Sequence, residues 1–314
     1  MVTGGPAVIL DPRKKFWRSV TKRWRLYVFL APAFLYFLIF NYFPLYGIQL
    51  AFKDFSMRAG INGSPWAVPL MRHFNMFLES FKFQEIFFNT LSLSLYGLIA
   101  GFPLPILLAV MLNELKNKRY MKIIQNVTYA PHFISVVVMV GMINLFLGYQ
   151  GLLNQLVTLI GLPPQNLQMS AAPFPHIYIW SGIWQNVGYS SIIYFAALSG
   201  VSAELHEAAI IDGASRLRRI WHINLPHIRP TIVILLILNA GSIMNVGFDK
   251  IWLMQTGVNV AKSEIIATYV YKLGIQQRNF SLASAVGLFN NIINLIMLLI
   301  VNWVAARLND SSLF

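Results

Sequence analysis

Asn239, Ser242, Asn245, Asp249 and Trp252, within the stretch 231–254, are the clearest candidates for directed chemistry in the chain. On one helix, at about 100° per residue, their spacing gathers them into an arc of roughly 140°. The stretch 176–198 adds Trp180, Trp184, Gln185 and Tyr189, with Trp180/Trp184 and Gln185/Tyr189 each one helical turn apart. Aromatic faces beside amides suit a sugar ring, whose C–H groups stack while its hydroxyls take directed hydrogen bonds. The same residue types have plainer uses. Asn and Ser hydrogen-bond between packed helices, Trp and Tyr mark a lipid interface, and Asp249 beside Lys250 suits the outer end of a span. Asn290, Asn291 and Asn294 read as packing contacts, and Lys250 matters only for an acidic substrate.

Bond-making chemistry has no comparable signature. The chain contains no G-x-x-x-x-G-K-[ST], H-E-x-x-H, G-x-S-x-G or G-x-G-x-x-G pattern, so no nucleotide site or hydrolytic centre is expected. His206, His222 and His227 form no i, i+4 ligand pair and read as solvated histidines, with no metal. The absence of cysteine excludes a disulfide framework and any thiolate centre.

The elements that must hold these residues are membrane helices. Of 314 residues 57% are hydrophobic and 11% charged, against roughly a quarter charged in soluble domains. The net charge of +13 is scattered over short segments between apolar runs, which excludes the continuous basic stripe of a nucleic-acid binder. Apolar spans are expected at about 26–52, 86–112, 127–147, 176–198, 231–254 and 285–306, each above the roughly 20 residues that cross hydrocarbon. Pro103 and Pro105 interrupt the second span. The first is too long for a signal-peptide core and has no cleavage site. Residues 53–85 read as a loop with a short interfacial helix, 148–175 as an uncharged, turn-rich outer loop, and 255–284 as an external segment carrying Lys262, Glu264, Lys272 and Arg278. With the basic tail 1–25, the loop 114–122, the loop 200–230 and Arg307 with the tail 309–314 inside, sixteen of the 24 Lys and Arg lie on the cytoplasmic side. The expected fold is an all-α polytopic membrane protein with six transmembrane helices, both termini cytoplasmic, and one domain over 26–308.

The cytoplasmic stretch 204–226, ELHEAAIIDGASRLRRIWHINLP, reads as two short helices. Ser202 is placed as an N-cap, Glu204 in the favourable first turn, and Gly213 where the first helix stops. Pro226 and Pro230 are expected to stop the second. Glu207-Ala208-Ala209, three residues, Gly213, nine residues, then Ile223-x-Leu225-Pro226 resembles the EAA loop of ABC-importer permeases at every signature position. LAPAFLYFLIFNYFPLYG (30–47), NVGYSSIIYFAALSGV (186–201) and NVGFDKIWLM (245–254) resemble the carbohydrate branch of that family, and alginate-type permeases within it. The likeness covers residues 26–308.

The resemblance implies a type I ABC importer permease fold in a bacterial inner membrane, and a non-catalytic subunit working by alternating access. It implies a second permease in a heterodimer, two ATPase subunits that hold ATP and Mg, a solute-binding protein, membrane lipid and a carbohydrate cargo. This chain would bind no cofactor and no nucleic acid. Glu207, Ala208, Ala209, Asp212, Gly213, Ile223, Leu225 and Pro226 would couple it to the ATPase. Their chemistry agrees: small alanines permit close approach, Glu207 offers a carboxylate to an arginine, and Gly213 turns without a Cβ clash. Arg216, Arg218 and Arg219 would reach lipid phosphates or acidic partner residues. A permease for peptides or amino acids stays open. So does a secondary transporter, which calls for repeated halves and midplane ionisable groups, and a membrane enzyme, which calls for clustered His, Asp or Glu.

Overall fold

The computed structural model describes residues 22–165, 167 and 170–309, which are helical throughout apart from connections and one bridge between Lys53 and Trp66. The tail residues 1–21 and 310–314, and Asn166, Gln168 and Met169 of the turn-rich loop, lie outside the described residues. α1 (Trp24–Phe37) continues through a π turn (Leu38–Tyr42) and a 3₁₀ stretch (Phe43–Phe52). No residue of 24–42 is buried, which leaves an apolar surface for lipid or another chain to cover.

The far end of this element is anchored. Lys53 Nζ donates to the Ile61 carbonyl at 2.7 Å and lies 4.8 Å over the Trp66 ring. The surrounding cap contains α2 (Gly60–Gly63) and α3 (Arg72–Leu78). Phe77 of α3 is buried against Phe83, Tyr269 and Phe289, so the loop and short helix expected within 53–85 pack as a folded cap on the core. α4 (Phe83–Gly101) and α5 (Pro103–Asn113) join through Phe102, which keeps helical angles.

The expected single helix over 127–147 is corrected. α6 (Lys118–Tyr129) ends in a 3₁₀ turn at Ala130–Phe133, and α7 (Val136–Leu147) starts afresh with Ser135 as its N-cap. Pro131 has no N–H to continue the ladder. The freed Ile134 carbonyl accepts from Gln185 Nε2 at 2.8 Å. α8 (Leu152–Leu159) follows, with buried Asn154 bonding Gly148 and Gln165 across the loop.

α9 (Phe174–Leu198) is the hub, packed against α4, α5 and α6. The approach to α6 is so close that a Cβ on Gly188 would sit 2.0 Å from the Thr128 carbonyl oxygen. After α10 (Ala203–Ile211) and α11 (Arg216–Arg219), a π turn (Ile220–Asn224) leads directly into α12 (Leu225–Ala240), which also packs on α9. Pro226 and Pro230 therefore do not stop the helix. Pro226 falls in the first turn of α12, where no intrahelical N–H is required, and the π turn takes up the change of register.

The expected continuous helix over 231–254 is also corrected. It breaks at 241–247 before α13 (Phe248–Met254). A Cβ on Gly241 would lie 2.3 Å from Leu298 Cδ1, and the Met244 amide donates to Asn294 Oδ1 at 2.8 Å. Crowding and a ready acceptor on the last helix thus replace the helical ladder.

Residues 255–284 fold into the core. α14 (Val260–Ser263), α15 (Ile266–Tyr271) and a π turn (Lys272–Gln276) lead into α16 (Phe280–Asn309). Glu264, 1% exposed, receives Lys272 Nζ at 2.6 Å and Lys82 Nζ at 3.1 Å. Burial alone would raise its pKa, but the two lysine hydrogen bonds and charges outweigh it and hold the carboxyl below the ordinary value.

Among the described residues, five segments are long and apolar enough to cross a membrane: Trp24–Phe52, Phe83–Asn113, Val136–Leu159, Arg216–Ala240 and Phe280–Arg307. α9 has the length, but its Trp, Tyr, Gln, Asn, Ser and Gly content keeps it outside that set.

The ion triad makes a pH prediction. Because the Glu264 pKa is depressed, its stabilisation is full above the unfolded value and is lost as pH falls through the folded one. Glu264→Gln should destabilise the protein by about 3 kcal/mol near neutrality, less than a fully enclosed pair because both lysines keep some solvent. The Tm difference from wild type should shrink on acidification below about pH 4.5. A pH-independent difference would remove the triad from the account.

Candidate functional sites: a lined cavity and an exposed knob

The polar candidates divide among different surroundings. Tyr189, Asn239, Ser242 and Asn245 meet on the wall of one cavity of about 610 Å³ between α4, α9 and the break after α12. Asn239 Nδ2 donates to the Leu235 carbonyl at 2.7 Å, and Ser242 Oγ donates to the Asn239 carbonyl at 3.3 Å. Asn245 Oδ1 accepts from Asn290 at 3.2 Å and Asn294 at 3.0 Å, so the last helix sets its orientation. Tyr189 lies flat on His132, ring centroids 3.9 Å apart, and His132 Nδ1 is 2.9 Å from Asn186 Oδ1. Such a wall offers amide and hydroxyl groups and one aromatic face.

The other candidates stand apart. Trp180 and Trp184 line a separate groove with Met139, Met142, Phe146 and Leu147, and Trp180 Nε1 donates to Tyr96 Oη at 2.8 Å. Trp180 and Tyr189 are nine residues apart on α9, about 180° around the axis, so one cavity cannot use both. Gln185 is buried and spends its Nε2 on the Ile134 carbonyl. Trp252 stacks on Phe248 and meets the Tyr271 edge, while Asp249 is exposed and lies on neither cavity.

Sequence reasoning missed the wall opposite. Gly97 and Gly101, one turn apart on α4, face Ile179 and Ile183, with a Cβ on Gly97 falling 3.2 Å from Ile179 Cδ1. The spacing G-x-x-x-G was the available signal for this close helix contact. Tyr178, Ser190 and Gly247 complete the lining, and a Cβ on Gly247 would press on Tyr178 Oη at 3.3 Å.

The second feature is the knob formed by α10 and α11. Ser202 Oγ accepts from the Glu204 amide at 3.2 Å, and Ser215 Oγ from the Arg218 amide at 3.3 Å. Between them Gly213 has φ +76°, with its amide on the Ile210 carbonyl and the Ala214 amide on the Ala209 carbonyl. These two bonds are a Schellman turn, which glycine enters without strain. α10 has no buried residue; Leu205, Ile210 and Ile211 are exposed beside Glu207, Ala208 and Asp212. Ile223 and Leu225 are half-buried and Pro226 exposed, while Asn224 between them is buried and donates to Glu114 Oε1 at 3.3 Å. The knob is therefore rigid at its root and uncovered at its tip.

Comparison with known proteins agrees with this architecture. The family model described as "Binding-protein-dependent transport system inner membrane component" matches residues 101–310. Protein LplB of Bacillus subtilis (strain 168) is 38% identical over 95% of this chain and 94% of its own length. The polygalacturonan/rhamnogalacturonan transport system permease protein YteP of the same organism is 37% identical over 97% and 94%. Among solved structures, a chain of a bacterial ABC transporter involved in import of the acidic polysaccharide alginate superposes with a TM-score of 0.86 at 38% identity, covering 94% of this chain and 99% of that one. A second structure, of an alginate ABC transporter in complex with an alginate pentasaccharide-bound periplasmic protein, gives a TM-score of 0.86 at 37% identity, over 95% and 99%. The all-helical, multi-pass chain has the ABC importer permease fold, and it belongs to the family of inner membrane components of binding-protein-dependent transport systems.

Proposed function

We propose that this chain is one permease of a pair in an ATP-driven importer of oligosaccharides in a bacterial cytoplasmic membrane, with ATP and Mg bound by two separate ATPase subunits. It crosses the membrane six times. α9 is the sixth crossing, since its 25 residues reach about 37 Å. A helix that lines a cavity can carry more polar residues than one facing lipid. Both termini then lie in the cytoplasm, as do the basic tail 1–25, the coupling loop 200–230 and the tail 309–314, which together frame a permease domain over 26–308.

The observation that carries this reading is the uncovered knob at the root of a continuous helix. Glu207, Ala208, Ala209, Asp212 and Gly213 form the contact with an ATPase cleft. Ile223, Leu225 and Pro226 fasten that contact to the membrane helix. From Arg216 to Ala240 the chain is one helical rod, about 37 Å long, and it ends at the break whose Asn239, Ser242 and Asn245 line the cavity. Movement of the knob when the ATPases close is thereby delivered to the cavity wall, and access alternates between the two sides. The alginate importer crystallised with its periplasmic protein supports a solute-binding protein as the donor of cargo. The relatives' names support a saccharide cargo. Tyr189, Asn239, Ser242 and Asn245 are its contacts, and Trp180, Trp184, Gln185, Asp249 and Trp252 serve packing or outer surfaces instead.

Two measurements check this. In the complete complex, Glu207→Lys combined with Gly213→Val should lower binding-protein-stimulated ATP hydrolysis by about tenfold or more while leaving the chain in the membrane. The valine alone forces a left-handed backbone that costs about 1–2 kcal/mol. Unchanged stimulation would remove the knob from coupling. Ser242→Phe, which fills the cavity, should cut oligosaccharide uptake by about tenfold or more with little change in Tm. Uptake of amino acids with no response to any saccharide would overturn the cargo.

A further inference from the structure

Lys250 on α13 lies in the wall of a second cavity of about 380 Å³, with only 9% of its surface exposed. Its Nζ donates to the Tyr178 carbonyl at 2.9 Å and to Ser181 Oγ at 2.8 Å, and sits 4.9 Å from the Tyr178 ring centroid. All these partners are neutral. Among the described residues no carboxylate stands within ion-pair distance of it; the ion pairs found use Asp54 and Glu264, and the neighbouring Asp249 is exposed. A desolvated cation without a counter-charge is costly. The contrast inside the same chain is direct, since buried Glu264 is met by two lysines.

An ammonium has three N–H donors, and the two bonds above use two. The remaining side of Nζ is left open by Gly182, where a Cβ would stand 3.4 Å from the nitrogen. The surrounding wall is mostly apolar, and Asn186 and Ser190 add polar groups to the same space. This cavity shares Gly97, Gly101, Tyr178, Ser190 and Gly247 with the larger one that holds Asn239, Ser242 and Asn245. A cargo lying along the polar wall of the first would bring its next substituents to Lys250.

We infer that Lys250 is a recognition site for a carboxylate of the cargo, so that the imported oligosaccharide is built from acidic sugars. The inference rests on the importer reading above and narrows its cargo. The lysine's two neutral hydrogen bonds hold the ammonium at the wall, and the uronate supplies the missing negative charge as it passes.

The test uses the whole complex with its native partners in proteoliposomes. Uptake is measured for uronic-acid oligosaccharides and for the same chains with every carboxyl reduced to an alcohol. Wild type should prefer the acidic form by about tenfold or more, and Lys250→Gln should erase that preference by raising KM for the acidic form while kcat changes little. Lys250→Arg should keep most of the preference, and Ser181→Ala, which removes a supporting bond but not the charge, should keep it too. An unchanged ratio in Lys250→Gln would overturn the inference. So would an equal loss of both cargoes, the mark of a purely structural tie between α9 and α13. A wild type that imports only the neutral oligosaccharide would overturn the carboxylate site and leave the importer reading standing; a wild type that imports no saccharide would take both down.

Discussion

A backbone group that leaves the helical ladder at membrane depth has no water to turn to, and in this chain side chains of distant helices take that place. The Ile134 carbonyl, freed at the bend between α6 and α7, is met by Gln185 of α9. The Met244 amide, freed at the break after α12, is met by Asn294 of α16. Asn89 of α4 donates to the carbonyls of Ala261 and Glu264, and Thr90 Oγ1 accepts from the Ile266 amide, which fixes the folded segment after α13. Ser281 closes the cap by accepting from the Phe55 amide and donating to the Lys53 carbonyl. The bend after α6 and the break after α12 are thus each tied to one particular partner helix, and these irregular segments become as determined as the regular ones.

That constraint shapes the proposed mechanism. A break tied by Asn245 to Asn290 and Asn294 is a fixed cavity wall, so motion can reach it only by moving a helix as a body. The run from Arg216 to Ala240 is such a body, and the Asn224–Glu114 bond links its root to the end of α5. In the proposed mechanism, displacement of the knob is transmitted along both elements.

The helical class, the apolar spans near 26–52, 86–112 and 285–306 and the knob's turn were legible because they follow from local rules. Apolar length marks a span, Ser202 caps, and Gly213 takes the positive φ that the turn requires. The break at 241–247 was not legible: no proline announces it, and the acceptor that stabilises it, Asn294, lies 50 residues further along. Pro226 and Pro230 misled in the opposite sense: Pro226 falls in the first turn after a π turn, and Pro230 sits inside α12 without ending it. Within the candidate site, residue type alone could not separate roles. Gln185 closes a backbone gap, whereas Asn239 and Ser242, bonded only to their own helix, face the cavity. The helical arc also assumed continuity through the break, which is why Asp249 and Trp252 fall elsewhere.

The central claim, that α10 is the contact with a separate ATPase, can be measured by site-directed cross-linking. The chain has no cysteine, so Ala208→Cys introduces a single thiol. In the assembled complex it should form a cross-link to the ATPase subunit whose yield changes when ATP is bound, while Gln150→Cys, on the opposite face in the proposed topology, should form none. Equal cross-linking from both positions, or none from Ala208→Cys in a complex that still transports, would contradict the account.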